Sequence, residues 1–255
     1  MSDRPIALFY GGTNGSGKST LREIDTNTEI KKHIDPDAIA RVINPKDPRS
    51  VDVAAGREAI RQFKEAIDNK TSFSMETTLT GNGILRRMEE AKSAGFETQL
   101  FYVGLKDADL NVLRVANRVA KGGHHIDEDV IRRRYTESQE NLIKAIAICD
   151  LIMVRDNSEL YPVTYLEIQN NQVIRLTGKK APDWIQGIEN KALIDIQTRK
   201  ENAPLAKEFE NSTEISDKQT QKAVTDVNLF SGSDSPSNRV ISTANEAIKA
   251  DKLKP

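Results

Sequence analysis

Through roughly the first three-quarters of the chain, short apolar runs alternate with longer stretches in which apolar residues recur every three or four positions. The short runs predict strands at residues 6–10, 33–34, 72–75, 98–103 and 151–154, and the longer periodic stretches predict helices at 18–25, 37–43, 53–69, 83–94, 107–120 and 127–148. In the last of these, Ile131, Tyr135, Ser138, Leu142, Ala145 and Cys149 follow one another at helical spacing, so one face is buried. Strands that alternate with helices are the pattern of a parallel sheet wound by crossover helices, an α/β class of fold. Residues 164–168 and 172–176 flank Asn170-Asn171 and predict a C-terminal hairpin on the sheet edge. Pro182-Asp183-Trp184 opens a final docking helix. Beyond about residue 197 large apolar side chains become sparse and Ser, Thr, Asn, Lys and Glu take over. The organisation expected is therefore a domain over 1–196 and a polar tail over 197–255, too poor in apolar surface to offset its ordering entropy, with helical tendency at 244–253.

Composition narrows the class of protein. The chain has 255 residues, 37% of them hydrophobic and 29% charged, with a formal net charge of −1. That balance gives no support to a nucleic-acid partner, which would need clustered Lys and Arg. No 18-residue apolar stretch or leader-like N-terminus is present, so no membrane partner is expected and the expected location is cytoplasmic. The single cysteine, Cys149, excludes an internal disulfide and reads as a small buried hydrophobe.

The chemistry begins directly after the first apolar run. Gly12-Thr13-Asn14-Gly15-Ser16-Gly17-Lys18-Ser19, followed by Thr20, meets every fixed position of the pattern G-x-x-x-x-G-K-[ST] between a strand and a helix. Glycines allow successive backbone N–H groups to curl around a phosphate, Lys18 bridges the β- and γ-phosphates, and the Ser19 hydroxyl is the candidate ligand for Mg²⁺. ATP and Mg²⁺ are the cofactors expected. The chain has no guanine-reading Asn-Lys-x-Asp and no transporter-type signature, which leaves a small-molecule kinase as the leading class.

Four further segments carry candidate roles. In His33-Ile34-Asp35-Pro36-Asp37, Asp35 suits a helix N-cap with Pro36 in the first turn, and Asp37 is the candidate catalytic base for a hydroxyl acceptor. Glu76, Thr77 and Thr78 stand at the carboxyl end of a strand, where ligands collect in such sheets, and are the candidate substrate-binding residues; Thr77 and Thr78 have helix capping as their alternative. Arg114 and Arg118 share a helix face, and Lys121-Gly122-Gly123-His124-His125 leads to Arg132-Arg133-Arg134. This reads as a helical lid bringing Arg118, Arg133 and Arg134 onto the transferring phosphoryl group, with solvated surface as the alternative for any one of them. Asn157, in Asp156-Asn157-Ser158, is a candidate reader of the adenine edge, or else part of an Asx turn.

In their order and spacing these elements resemble the zeta-toxin family, and more closely its short bacterial members, over roughly residues 4–177. The resemblance implies a P-loop kinase-like three-layer sandwich with a mostly parallel five-stranded sheet, a helical lid and a C-terminal hairpin. It implies ATP-dependent phosphorylation of the 3′-hydroxyl of UDP-N-acetylglucosamine, restrained by an antitoxin protein. Lys18 and Ser19 match the family's nucleotide loop, Asp37 its catalytic aspartate, Glu76 the acid after its third strand, and Arg118 with Arg133 or Arg134 its lid arginines. The chain lacks the long N-terminal helix of the larger toxins, has shorter acceptor-site segments, and carries an unmatched tail. An ATP-binding switch or ATPase acting through a protein partner is the alternative class.

Overall fold

β1 (Ile6–Gly11) is buried at all six positions, which identifies it as a strand covered on both faces. Ala7 and Phe9 face one apolar cluster, while Ile6, Leu8 and Tyr10 face another that includes Leu21, Ile30 and Phe101. The computed structural model describes residues 4–24, 29–123 and 125–204. The chain divides into two units after Thr198, and the elements considered below belong to Met1–Thr198. The expected helix at 244–253, nearly all of the expected tail, and His124 of the expected lid lie outside the described residues.

The elements follow in the order α1 (Lys18–Ile24), β2 (Lys32–Ile34), α2 (Pro36–Ile43), α3 (Asp52–Asp68), β3 (Phe73–Thr77), α4 (Asn82–Ser93), β4 (Glu97–Gly104), α5 (Ala108–Ala120), α6 (Glu128–Ala145), β5 (Leu151–Asp156), β6 (Val163–Gln169) and β7 (Gln172–Arg175). A single 3₁₀ turn, Pro48–Val51, precedes α3, and a last helix, α7, begins in this unit at residue 183. The strands form one sheet in the order β2-β3-β1-β4-β5-β6-β7. The first five are parallel; β6 and β7 are antiparallel additions at one edge. Asn170 and Asn171 both take left-handed φ, 54° and 55°, between the paired Gln169 and Gln172. That is the backbone a two-residue hairpin turn requires, and asparagine tolerates it better than most residues. The expected α/β architecture, with a five-stranded parallel core and a C-terminal hairpin, is the one observed.

The larger core packs α3 through Phe63, α4 through Met88, α6 through Leu142, and α7 through Trp184 and Ile185 onto the sheet. Trp184 lies so close over Gly104 that a Cβ there would sit 2.4 Å from its ring, and its indole N–H donates to Asp156 at 2.9 Å. α6 ends sooner than its apolar spacing predicts. From Ile146 the amides turn to carbonyls three residues back, and this tighter turn brings Cys149 against Met88. The carboxyl ends of the five parallel strands, Gly11, Ile34, Thr77, Gly104 and Asp156, all open on one edge of the sheet. Every chemistry-bearing segment named above is delivered to that edge or to the helices bordering it.

Candidate active site

The loop at 12–17 turns sharply between β1 and α1. Gly12, Gly15 and Gly17 have φ of 139°, 79° and 101°. At Gly17 the constraint is doubled, because a Cβ would also lie 2.3 Å from the Asn157 amide nitrogen. A loop that turns its N–H groups inward must find partners for its outward carbonyls. Those partners come from far along the chain: Asn111 Nδ2 donates to Asn14 O at 2.7 Å and Asn157 Nδ2 to Ser16 O at 2.8 Å. Arg134 Nη1 donates to the Asn14 side chain at 2.9 Å. Thr13 and Ser16 are buried beneath the loop. Lys18 Nζ reaches back to Gly12 O at 2.7 Å and Thr13 O at 3.2 Å. Burial pushes the Lys18 amine down to about 8, although the nearby Glu76 and Asp37 carboxylates oppose the shift.

The two aspartates of the second segment divide their work. Asp35 is buried and caps α2, its carboxylate accepting from the Asp37 and Ala38 amides at 2.9 and 3.2 Å, with Pro36 in the first turn. Asp37, one turn out, is exposed and faces the cavity beside the phosphate loop. Glu76 sits opposite Tyr10 in the parallel register, which sets it next to the loop. It accepts from Ser19 Oγ at 3.1 Å and pairs with Arg22 at 3.0 Å. Burial, followed by the neighbouring Asp35 charge, pushes its carboxyl pKa up.

His33 joins this group. Period-two alternation along β2 brings its ring to the side of Asp35, and the side-chain ligand atoms of His33, Asp35 and Glu76 lie within 4.8 Å of one another. Burial, reinforced by Arg22, lowers His33 to about 4 and keeps its imidazole neutral at physiological pH.

A cavity of about 690 Å³ runs from Asn14–Thr20 across Asp37 to Thr77, Thr78 and Thr80, and reaches the lid side chains Arg118 and Arg134. Two side-chain expectations and one alternative reading differ from what the structure shows. Arg133 is exposed and contributes nothing to this wall, since successive helical residues point about 100° apart and the inward position is already taken by Arg134. Asn157 does not line the cavity; its amide is committed to the phosphate loop, and its own carbonyl receives Arg114 at 2.7 Å. Thr77 and Thr78 do not cap α4, which begins after Gly81 without a side-chain cap. Thr77 Oγ1 instead accepts from the Leu79 amide at 2.9 Å, in a turn where Leu79 holds a left-handed φ of 57°, and Thr78 bonds Thr80 at 2.8 Å.

Among the residues on or beneath the site that had no place in the sequence reading, two polar ones show why. Asn111 is fully buried one turn from Val115; an amide on the apolar face of an amphipathic helix was the available signal. Arg87 lines the cavity from α4, where a lone arginine among charged helix residues offers no sequence signal.

Residues 1–164 match the family model for the zeta toxin. The chain belongs to the zeta-toxin family. It is 48% identical over 129 residues to an uncharacterized protein of Haemophilus influenzae, covering 51% of this chain and 91% of that protein. Its fold is similar to a structure from the PezAT chromosomal toxin-antitoxin system of Streptococcus pneumoniae, with a TM-score of 0.51 and 19% identity over 74% of this chain and 86% of the other. It is also similar to AvrRxo1-ORF1:-ORF2 solved with ATP, with a TM-score of 0.54 and 12% identity over 76% of each chain. At these identities the two structures speak for the fold, the P-loop kinase-like form of the zeta toxins. Among the described residues, no helix is long and apolar enough to cross a membrane.

Proposed function

We propose that this zeta-toxin family member is an ATP-dependent phosphotransferase acting on a small hydroxyl-bearing molecule, with the 3′-hydroxyl of UDP-N-acetylglucosamine as the leading acceptor. The observation that carries the reading is the division of labour between the two aspartates. Both aspartates line the cavity, but Asp35 Oδ1 is committed to the α2 cap, whereas Asp37 is exposed at the wall beside the Lys18 loop.

The residues fit ATP. The loop supplies inward-turning amides whose carbonyls are already held from behind by Asn111 and Asn157, and Lys18 supplies the charge for the terminal phosphates. They also fit Mg²⁺: Ser19 Oγ and Glu76 Oε2 are adjacent hard oxygen donors. When bound, the ion neutralises charge on the β- and γ-oxygens.

In the reaction, the acceptor oxygen forms a bond to the γ-phosphorus as the bond from that phosphorus to the β,γ-bridging oxygen breaks. ADP leaves with that electron pair, and Asp37 takes the acceptor's proton. Lys18, Arg118 and Arg134 stabilise the charge spread over the γ-oxygens, and the lid excludes water that would hydrolyse ATP. Thr78 and Thr80 offer hydroxyls to the polar edge of the acceptor. The family relation to a toxin-antitoxin system supports a protein antitoxin as partner.

The test is incubation with ATP·Mg²⁺ and UDP-N-acetylglucosamine, followed by mass spectrometry for a singly phosphorylated sugar nucleotide. Product is expected from the native chain and not from Asp37→Ala. Product that persists undiminished in Asp37→Ala removes Asp37 as the base. ADP release that no hydroxyl compound stimulates replaces the kinase with an ATP-driven switch.

A further inference from the structure

The turn between β3 and α4 is strained, and a single helix holds it. Leu79 is fully buried with a left-handed φ of 57°, and two residues later Gly81 takes a φ of 72°. A side chain makes the left-handed region costly, and such a conformation persists only where its surroundings over-determine it. At Gly81 glycine serves the backbone angle alone, because a Cβ there would meet nothing within 4 Å.

Within the turn, Thr77 Oγ1 accepts from the Leu79 amide at 2.9 Å. Three more backbone groups of the turn are answered from α6. Glu137 Oε1 accepts from the Gly81 amide at 2.7 Å, and Asn141 Nδ2 donates to Leu79 O at 3.1 Å and Gly81 O at 3.3 Å. Asn141 is buried, and Lys144 donates to its side-chain oxygen at 3.1 Å, so both ends of the amide are engaged. The polar cost of burying this asparagine on a helix face is thereby met by the turn it holds.

Glu137 and Asn141 follow Arg134 at helical spacing, so the three side chains leave α6 on one side. The helix is itself anchored between them, with Ser138 Oγ 3.1 Å from the buried Tyr102 hydroxyl and the Tyr135 hydroxyl donating to Leu105 O at 3.0 Å. Arg134 lines the cavity, and so do Thr77, Thr78 and Thr80 of the turn. Glu137 and Asn141 are not among the residues lining it.

We infer that Glu137 and Asn141 are positioning residues for phosphoryl transfer. They hold the strained turn from the same helix that carries Arg134, and so fix the distance between the threonine hydroxyls that meet the acceptor and the guanidinium that meets the γ-phosphoryl group. This rests on the kinase reading and adds to it a device that keeps the acceptor oxygen in line. A displacement of about 1 Å between reacting groups is enough to cost on the order of a hundredfold in rate. With the turn released, ATP still binds, but the acceptor loses its alignment and water takes a larger share of the γ-phosphoryl groups.

The experiment compares the full chain with Glu137→Ala, Glu137→Gln and Asn141→Asp. Amide hydrogen exchange over residues 78–82 reads the turn directly, and it should quicken about tenfold in Glu137→Ala while the interior of α4 keeps its protection. With ATP·Mg²⁺ and UDP-N-acetylglucosamine, the measured quantity is the ratio of phosphorylated sugar nucleotide to total ADP released. That ratio should fall about tenfold or more in Glu137→Ala while affinity for a non-hydrolysable ATP analogue stays within about twofold. Glu137→Gln keeps an oxygen for the Gly81 amide and should recover most of the loss. Asn141→Asp keeps the size but loses the donor and should match Glu137→Ala; its burial can cost the fold, so the decision rests on the Glu137 pair. A merely structural role lowers transfer and hydrolysis together and leaves the ratio where it was. The inference is overturned if the ratio or the exchange at the turn is unchanged in Glu137→Ala, or if Glu137→Gln does no better than Glu137→Ala. Transfer by the native chain with a ratio insensitive to Glu137→Ala sinks this inference and leaves the kinase. If the native chain transfers to no hydroxyl compound, faster exchange in Glu137→Ala leaves the hold on the turn but sinks the kinase and the positioning role with it.

Discussion

The two halves of the cavity are built in different ways. The nucleotide half is a continuous stretch, residues 12–20, with its loop carbonyls held from behind by Asn111 and Asn157. The proposed acceptor half draws its lining from separate segments, Asp37 on α2, Gly56 on α3, Thr78 after β3 and Arg87 on α4. The difference teaches that the phosphate side is organised by local sequence and braced from behind, whereas the proposed acceptor side is assembled only when distant segments come together. Preorganised donors cost nothing to reorient during reaction.

The sharpest way to break this contrast is on the nucleotide side. Lys18→Met should lower phosphoryl transfer by about a thousandfold or more, since a charge aimed at the transferring group acts most in the transition state; single-turnover assays would measure this. On the acceptor side, Asp37→Asn should cost about a hundredfold to ten-thousandfold in kcat while ATP affinity holds. Asp35→Asn, which keeps a capping side chain, should spare far more activity. Equal losses from the two aspartate variants would erase the distinction between base and cap.

The bracing itself is open to test. Asn111→Ala and Asn157→Ala should each destabilise the protein by about 1–2 kcal/mol in denaturant titrations and weaken ATP, while acceptor-side affinities change less. A variant that weakened both ligands alike would show the halves to be coupled.

Acidity offers a milder probe. Because burial sets the free Lys18 amine at about 8 and the phosphates require its charged form, ATP affinity should be level below about pH 7. Above pH 8 it should fall by up to about tenfold per unit, the limit for one linked proton. Stability of the ligand-free chain should move the other way. Between about 8 and the ordinary lysine value of 10.5 the unfolded chain holds the proton that the folded chain has released, so stability rises with pH through that window. Lys18→Met should flatten both trends. The smallest effect is expected at the lid: Arg133→Ala should change kcat less than about twofold, as substitutions of exposed residues without buried contacts usually do. Arg134→Ala should be clearly slower.

Much of this was legible without coordinates, for reasons that differ by element. Asp35-Pro36-Asp37 announces a cap and a free acid because capping is decided within four residues. The hairpin was readable because Asn170-Asn171 satisfies a two-residue turn by itself. The lid arginines were readable only as a group. Which of Arg133 and Arg134 faces inward depends on the rotation of α6 about its axis, and that is set by the burial of Ile131, Ser138 and Leu142.

The sequence by itself determined the α/β order, the phosphate loop, the cap of α2 and the family, since each rests on neighbours along the chain or on the simple periods of strand and helix. Only the tertiary structure decided that Asn157 braces the loop, that Asn111 braces it from 97 residues away, that His33 stands with Asp35 and Glu76, and that Arg87 and Gly56 line one cavity. Those pairings depend on strand order and helix packing. Their energies are paid out only when distant segments close on one another, and no local pattern of residues encodes which segments will meet.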